Sequence, residues 1–319
     1  MCTAVSFTGA THFFGRNLDL QYGYREQVVI TPRDFPFRFR SGYLLPHHYA
    51  MIGMATVANG EPLYYEATNE HGLSIAGLNF PHSAQYQHET ADKDNIAPYE
   101  LIPWILGQCE TVAQARRLLQ RVSIWALPYS REFPLTPLHW IIADKDSCIV
   151  AEPVEEGLKI HDDPVGVLTN EPPFPYHMLR LSDFMQLQPD QAENRFPGLS
   201  LKPYSNGMGA MGLPGDFSSV SRFVRAAYVR CNSVSQTDDL SQFFHILSAV
   251  AMPSGSVHVD GDSQITRYAC CCDTQKGIYY YTTYDNSRLR AVCLRNADIK
   301  GQLLTIFDLM DRQDIFWQN

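Results

Sequence analysis

Short apolar runs bounded by Gly, Pro and Asn fill the first part of the chain: TAVSF, QVVI, YAMIGMATV, LYYEAT and LSIAGL. They are rich in β-branched and aromatic residues, so each reads as a β-strand. The period changes at TVAQARRLLQRV, where Val112, Ala115, Leu118, Leu119 and Val122 recur at helical spacing behind Thr111, a capping residue. Strands return at LHWIIAD, CIVAEP, GLKIH and VGVLT. SSVSRFVRAAYVR and DLSQFFHILSAVAM predict two helices, and YACCCD, GIYYYTTY and RLRAVCL close the chain as strands. Strands, helix, strands, helices, strands, joined by hairpin-length connections, predict antiparallel sheets covered by helices, an α+β fold rather than a doubly wound parallel one. No repeat, low-complexity tract or long linker interrupts the pattern, so one domain over residues 1–319 is expected.

Composition narrows the function classes. The 319 residues are 45% hydrophobic and 18% charged, an ordinary globular make-up with length enough for a sizeable core. A net charge of −9, with no dense Lys/Arg block, argues against a nucleic-acid partner. No apolar run reaches the length of a membrane span. His12, Arg16 and Asp19 interrupt the apolar start, so no signal peptide is expected. The cysteines at 2, 109, 148, 231, 270, 271, 272 and 293 are too sparse for a disulfide framework, which points to a cytoplasmic protein with reduced thiols.

Several motifs are less than they look. GMGAMG (Gly207 to Gly212) matches the dinucleotide fingerprint by letter, but KPYSN precedes it and LPGD follows, where a strand and a helix start are needed. It reads as a flexible loop near a site. Cys270, Cys271 and Cys272 alternate faces in a strand and cannot converge on one ion, so they read as small buried hydrophobes, with no metal expected. His47 and His48 read as loop and strand-edge residues, and the tyrosines of GIYYYTTY as structural.

Other positions carry chemistry. Cys2 follows Met1 directly, and its small side chain predicts removal of that methionine. The mature chain would then hold a thiol and a free α-amine on one Cα, with reference pKa values of about 8.5 and 7.7–8.0. Nucleophile and base would sit on one residue. Asn79 ends LSIAGLN and Asn170 ends VGVLTN, where rigid strands aim side chains out of a sheet edge. Arg222 lies inside the apolar helix start SVSRFV, where a buried guanidinium needs an acid or carbonyls.

These stretches, from MCTAV and FGRNLD through NEHGLSIAGLNF, PLHWIIAD, VGVLTN and GLPGDFSSVSRF to KGIYYYTTYDN, resemble the choloylglycine hydrolase family of bile salt hydrolases and penicillin V acylases. The resemblance implies an N-terminal-nucleophile hydrolase: a four-layer αββα sandwich of two antiparallel sheets between helical layers. It places Cys2 on the nucleophile, Arg16 and Asp19 beside it, Asn79 and Asn170 on the oxyanion-hole positions, and Arg222 near the nucleophile. Penicillin V acylases commonly carry tyrosine where this chain has Asn79, so the resemblance leans to bile salt hydrolase.

The chemistry this implies needs no metal or cofactor. The Cys2 amine, held by the Asp19 carboxylate, takes the thiol proton, and the thiolate attacks an amide carbonyl. Arg16 and Arg222 favour the thiolate with positive charge. The Asn79 backbone amide and the Asn170 side-chain amide hold the oxyanion. The small-molecule substrate implied is a bile acid conjugated to glycine or taurine, which needs an apolar trough. Leu18, Leu20, Tyr22 and Tyr24 after the nucleophile strand, and Ile124, Trp125, Leu127 and Phe133 of SIWALPYSREF, are the expected lining. Tyr129 and Arg131 are the candidates for the amino-acid end. Penicillin V acylase is the nearest rival, and a non-catalytic binding protein on the same fold the rival from another class. The family implies a homotetramer.

Overall fold

The computed structural model describes residues 1–234 and 239–319. Its frame is two fully antiparallel sheets, whose strands we number in chain order. The six-stranded sheet holds β1 (Cys2–Thr8), β2 (His12–Leu20), β10 (Val167–Leu168), β11 (Ile265–Asp273), β12 (Ile278–Thr283) and β13 (Arg290–Cys293), in the spatial order β10-β1-β2-β11-β12-β13. The eight-stranded sheet holds β3 (Gln27–Thr31), β4 (Met51–Ala58), β5 (Glu61–Asn69), β6 (Ser74–Asn79), β7 (Leu138–Ala143), β8 (Cys148–Val154), β9 (Gly157–Asp162) and β14 (Thr305–Asp308), in the order β9-β8-β7-β6-β5-β4-β3-β14. The architecture is α+β, with four layers.

Alternation along the strands builds the layers. Val28, Ile30, Ile52, Met54, Leu78 and Ile141 of the larger sheet pack towards Phe14, Leu18 and Cys270 of the smaller. The intervening residues Val29, Met51, Ile75 and Ile142 face outward onto α1 (Leu101–Gln108) and α2 (Val112–Leu119). On the far side of the smaller sheet lie α3 (Phe174–Leu181), α4 (Ser219–Cys231) and α5 (Asp239–Ser248), which bring Phe174, Phe223 and Phe243 into the core. A Cβ on Gly15 would collide with the Cys270 carbonyl, so glycine there lets β2 and β11 lie close.

The expected helices at 111, 218 and 239 are present. The Thr111 hydroxyl accepts from the Gln114 N–H, a cap worth about 1 kcal/mol. Val122, expected on that helix, instead opens a short strand beside Asp94–Ile96. The helix closes at Leu119, where the Arg121 N–H turns back to the Leu118 carbonyl. The glycine-rich stretch from 207 carries only a 3₁₀ turn at Met208–Ala210, and no helix starts on it.

One irregularity shapes the centre. Met54 pairs with Glu66 but Ala55 pairs with Tyr64, so Tyr65 is an extra residue in β5. Beyond the Glu66–Ala76 pair, β5 leaves β6. The carbonyls of Tyr65 and Gly77 are left facing a gap, and Arg16 fills it.

Candidate active site

Cys2 opens β1 opposite Leu18 of β2, and the two-residue period then sorts the site onto two faces. Towards the larger sheet, Cys2, Arg16, Leu18 and Leu20 line a cavity of about 310 Å³. On the other face, Asn17 Nδ2 donates to the Leu247 carbonyl at 2.9 Å, and Thr266 Oγ1 donates to Asp19 Oδ1 at 2.6 Å. Thiol and carboxylate therefore sit on opposite sides of one sheet edge.

Arg16 is fully buried. Its Nη1 donates to the Gly77 carbonyl at 2.6 Å and to the Tyr65 carbonyl at 3.2 Å, spanning the split between β5 and β6. The Glu66 carboxylate stands 3.7 Å away and accepts from the Tyr268 and Tyr279 hydroxyls at 2.8 and 2.6 Å. Burial opposes the Arg16 charge, but Cys2, Tyr268 and Glu66 more than offset it and raise its pKa. Its Nε and Nη2 have no partner among the described residues. They are donors left over at the cavity that holds Cys2.

Asn170 follows β10 and is held from every side. Its N–H donates to Ser219 Oγ at 2.8 Å, and its carbonyl accepts from His177 Nε2 at 2.9 Å. Its Oδ1 accepts from the Cys2 N–H and from Arg222 Nη2, both at 2.8 Å. Two donors on that oxygen fix the amide, and Nδ2 donates to the Asn79 carbonyl at 2.7 Å with a second hydrogen to spare. At β6 the Phe80 N–H donates to the Pro137 carbonyl at 2.9 Å. One residue earlier the Asn79 N–H therefore points to the opposite edge, which β5 has left.

Arg222 does not line the cavity. Its Nη1 donates to the Cys2 carbonyl at 2.5 Å and to Thr3 Oγ1 at 2.6 Å, and its Nε to the Phe217 carbonyl at 3.0 Å. It meets Cys2 through the backbone and Asn170 through the amide, so it stands near Cys2 without lining the cavity. Asp19 Oδ2 lies 4.0 Å from Arg222 Nη1 and has no hydrogen-bond donor among the described residues. Burial pushes the Asp19 carboxyl up from its ordinary value, against the pull of Arg222 and Thr266. With Met1 in place, its ammonium donates to the Asp19 carbonyl at 2.6 Å and its carbonyl accepts from the Asp19 N–H at 2.9 Å.

Of the expected trough residues, Leu18, Leu20, Tyr24, Leu127 and Phe133 line the cavity, and Tyr22, Ile124 and Trp125 do not. Tyr22 is 59% exposed, touching Tyr24 edge-on outside it. Ile124 belongs to the short strand beside Asp94–Ile96 and is buried with α1 and α2. Trp125 is tied by its N–H to the Ile96 carbonyl. Tyr129 lines the cavity, its hydroxyl donating to the Ala58 carbonyl at 2.8 Å, whereas Arg131 is exposed and does not. Tyr65, Tyr99, Pro134 and Leu135 are lining residues that the sequence pattern did not single out. No residue of the 207–215 loop lines it.

Two buried histidines give this region a pH signature. His177 holds Asn170, and His12 lies between the hydroxyls of Ser6 and Thr274. Burial pulls both down from 6.5 to about 4. The unfolded chain binds these protons near 6.5 and the folded one only near 4, so each ring subtracts stability as pH falls through that window. By about pH 4.5 the loss is about 2–3 kcal/mol per ring. Asp163, pushed up to about 6 by burial, works in the opposite sense, so the useful comparison is with a variant. His12→Gln is expected to keep more of its neutral-pH stability at about pH 4.5 than the parent does, measured by calorimetry. Equal losses would show that His12 does not titrate in this window.

Two antiparallel sheets between helical layers, with the cavity opening on the first residues of β1, form the N-terminal-nucleophile hydrolase fold. The family model for linear amide C–N hydrolases of the choloylglycine hydrolase family matches residues 2–314. A bile salt hydrolase/transferase of Lactiplantibacillus plantarum is 46% identical, with 100% of both chains covered. One of Clostridium perfringens is 37% identical over 94% of each. The crystal structure of a mutant conjugated bile acid hydrolase from Clostridium perfringens superposes with a TM-score of 0.94 at 34% identity, covering 100% of both chains. Penicillin V acylase from Agrobacterium tumefaciens shares the fold, with a TM-score of 0.77 at 17% identity over 96% of this chain and 91% of its own. The chain belongs to the choloylglycine hydrolase family and is an amide C–N hydrolase.

Proposed function

We propose that the protein cleaves the amide bond of glycine- or taurine-conjugated bile acids, with Cys2 as nucleophile after Met1 is removed. The observation that carries this reading is the apolar cavity of about 310 Å³ with Cys2, Arg16 and Asn79 in its wall. A fused-ring acyl group fills such a space with little need of polar contacts.

The Cys2 amine, which donates to Asn170 Oδ1, takes the thiol proton directly or through a water, with the buried Asp19 carboxylate supplying negative charge nearby. The thiolate attacks the amide carbon, and the developing oxyanion takes the spare Asn170 Nδ2 hydrogen and the Asn79 N–H. The amine passes its proton to the leaving nitrogen as the C–N bond breaks, and water hydrolyses the thioester. Arg16 supplies positive charge at the cavity wall. Arg222 holds Asn170 and the Cys2 carbonyl in register.

Amino-acid release from glycocholate, taurocholate and penicillin V, run side by side on protein of known intact mass, tests this. Release from the bile salts by chains lacking Met1 is expected. Release from penicillin V alone would make the protein a penicillin V acylase, and full activity with Met1 retained would remove the amine from the mechanism. A free thiol state for all eight cysteines supports a cytoplasmic location. Exposed Leu179, Met185, Phe196, Tyr204, Phe316 and Trp317 support self-association, and light scattering on the same preparation checks the homotetramer that the family implies.

A further inference from the structure

The two oxyanion donors come from different sheets. Asn79 ends β6 of the eight-stranded sheet and Asn170 follows β10 of the six-stranded one. Their distance apart is therefore set by how the two sheet ends are tied, and a small error there costs both donors their aim on one oxygen.

Asn170 Nδ2 itself donates to the Asn79 carbonyl at 2.7 Å, and Glu171, next to Asn170, adds a second tie to the turn that follows. Its Oε1 accepts from the backbone N–H groups of His82 and Ser83, both at 2.8 Å, and its Oε2 accepts from Ser83 Oγ at 2.7 Å. The turn it grips follows Asn79 by three residues and lies 88 residues away in sequence. All three bonds are charge-assisted, about twice as strong as neutral ones. Inside the fold, Phe80 stacks on His139 at 4.3 Å, and His139 Nε2 donates to the Thr169 carbonyl at 3.1 Å. Beyond the direct Asn170–Asn79 bond, the residues after Asn79 and those around Asn170 are thus joined twice more, once by a buried stack and once by a half-buried carboxylate.

We infer that Glu171 is a positioning residue for the oxyanion site: its carboxylate clamps the turn after Asn79 to Asn170 and, together with the Asn170–Asn79 bond, fixes the distance between the two donors. The inference rests on the hydrolase mechanism proposed above. Since Glu171 is only half-buried and its side-chain hydrogen bonds go to one turn, its variants are expected to fold.

The test compares a transition-state mimic with a ground-state ligand. In an aldehyde made from the bile acid's acyl group, the Cys2 sulfur bonds the carbonyl carbon and the thiol proton ends on the oxygen, which sits where the oxyanion would. The free bile acid needs no such donors. Glu171→Ala is expected to lower kcat about tenfold and to weaken the aldehyde about equally, with KM and free-acid affinity changed less than twofold. Glu171→Gln should recover most of the loss, because its amide oxygen still accepts both N–H groups. Ser83→Ala, which leaves those N–H groups in place, should fall between.

A lower melting temperature with unchanged kcat and aldehyde affinity would make Glu171 a loop anchor only. Equal weakening of aldehyde and free acid would place its effect on the cavity instead. The parent's own turnover of glycocholate decides the function separately, since only the ratio of variant to parent bears on Glu171.

Discussion

Cys2→Ser is expected to leave a folded protein whose turnover of glycocholate is lower by roughly 10⁴–10⁶-fold, as for loss of a nucleophile. The fold should hold because serine is nearly the same shape and Cys2 is only 3% exposed. Chemistry should fail because the α-amine matches the acidity of a thiol and not that of an alcohol. The bond from Cys2 nitrogen to Asn170 Oδ1 survives the change, so base and oxyanion donors stay in place. The variant therefore isolates the sulfur. Near-normal turnover with unchanged circular dichroism would mean that Cys2 is not the nucleophile.

Asn170→Ala is expected to lower kcat by about 10²–10³, or roughly 2.7–4 kcal/mol, with little change in KM. The geometry adds a second consequence. The side chain also accepts from Cys2 nitrogen and Arg222, so its loss orphans two buried donors, each at a cost of about 1–3 kcal/mol. Melting temperature and kcat should fall together. Asn170→Asp separates the two, since it keeps an acceptor for Arg222 and Cys2 but has no N–H for the oxyanion. It should be the more stable variant and remain slow. Parent-like kcat in either variant, measured well below its melting point, would retire the oxyanion role of Asn170 and leave the Asn79 N–H as the remaining donor.

Much of the strand order was legible because alternation and β-branched residues mark a half-buried strand without outside help. Where the signal failed, it failed for physical reasons. α1 reads LIPWILGQ, apolar on nearly every side and carrying Pro103, so it shows no amphipathic period. α3 begins FPYHMLRL behind two prolines, and β14 is a largely exposed edge strand of four residues. Within the site, the period of two in GRNLDL puts Arg16, Leu18 and Leu20 on one face and Asp19 on the other. The bulge at Tyr65 was not legible, because it is a mismatch between two strands and belongs to neither alone. The Arg222–Asn170 contact spans 52 residues, and no local pattern encodes it. Ile124 and Trp125 were misplaced because their partners, at Asp94–Ile96 and Gln87, lie in a segment with no strand signal of its own.

The residues gathered around Cys2 run from Arg16 to Thr266 along the chain. A ribosome adding about 5–20 residues per second makes the thiol first and Thr266 on the order of half a minute later. Through that interval the nascent N-terminus lacks β11, and for most of it Arg222 as well, and it is open to the aminopeptidase that the proposed mechanism requires. In the completed fold Met1 is bonded at both ends to Asp19 and half-buried, a poor target for a second enzyme. On the proposed mechanism methionine trimming would belong to synthesis, and a fragment ending short of Thr266 would carry the Cys2 sulfur without β11 beside it.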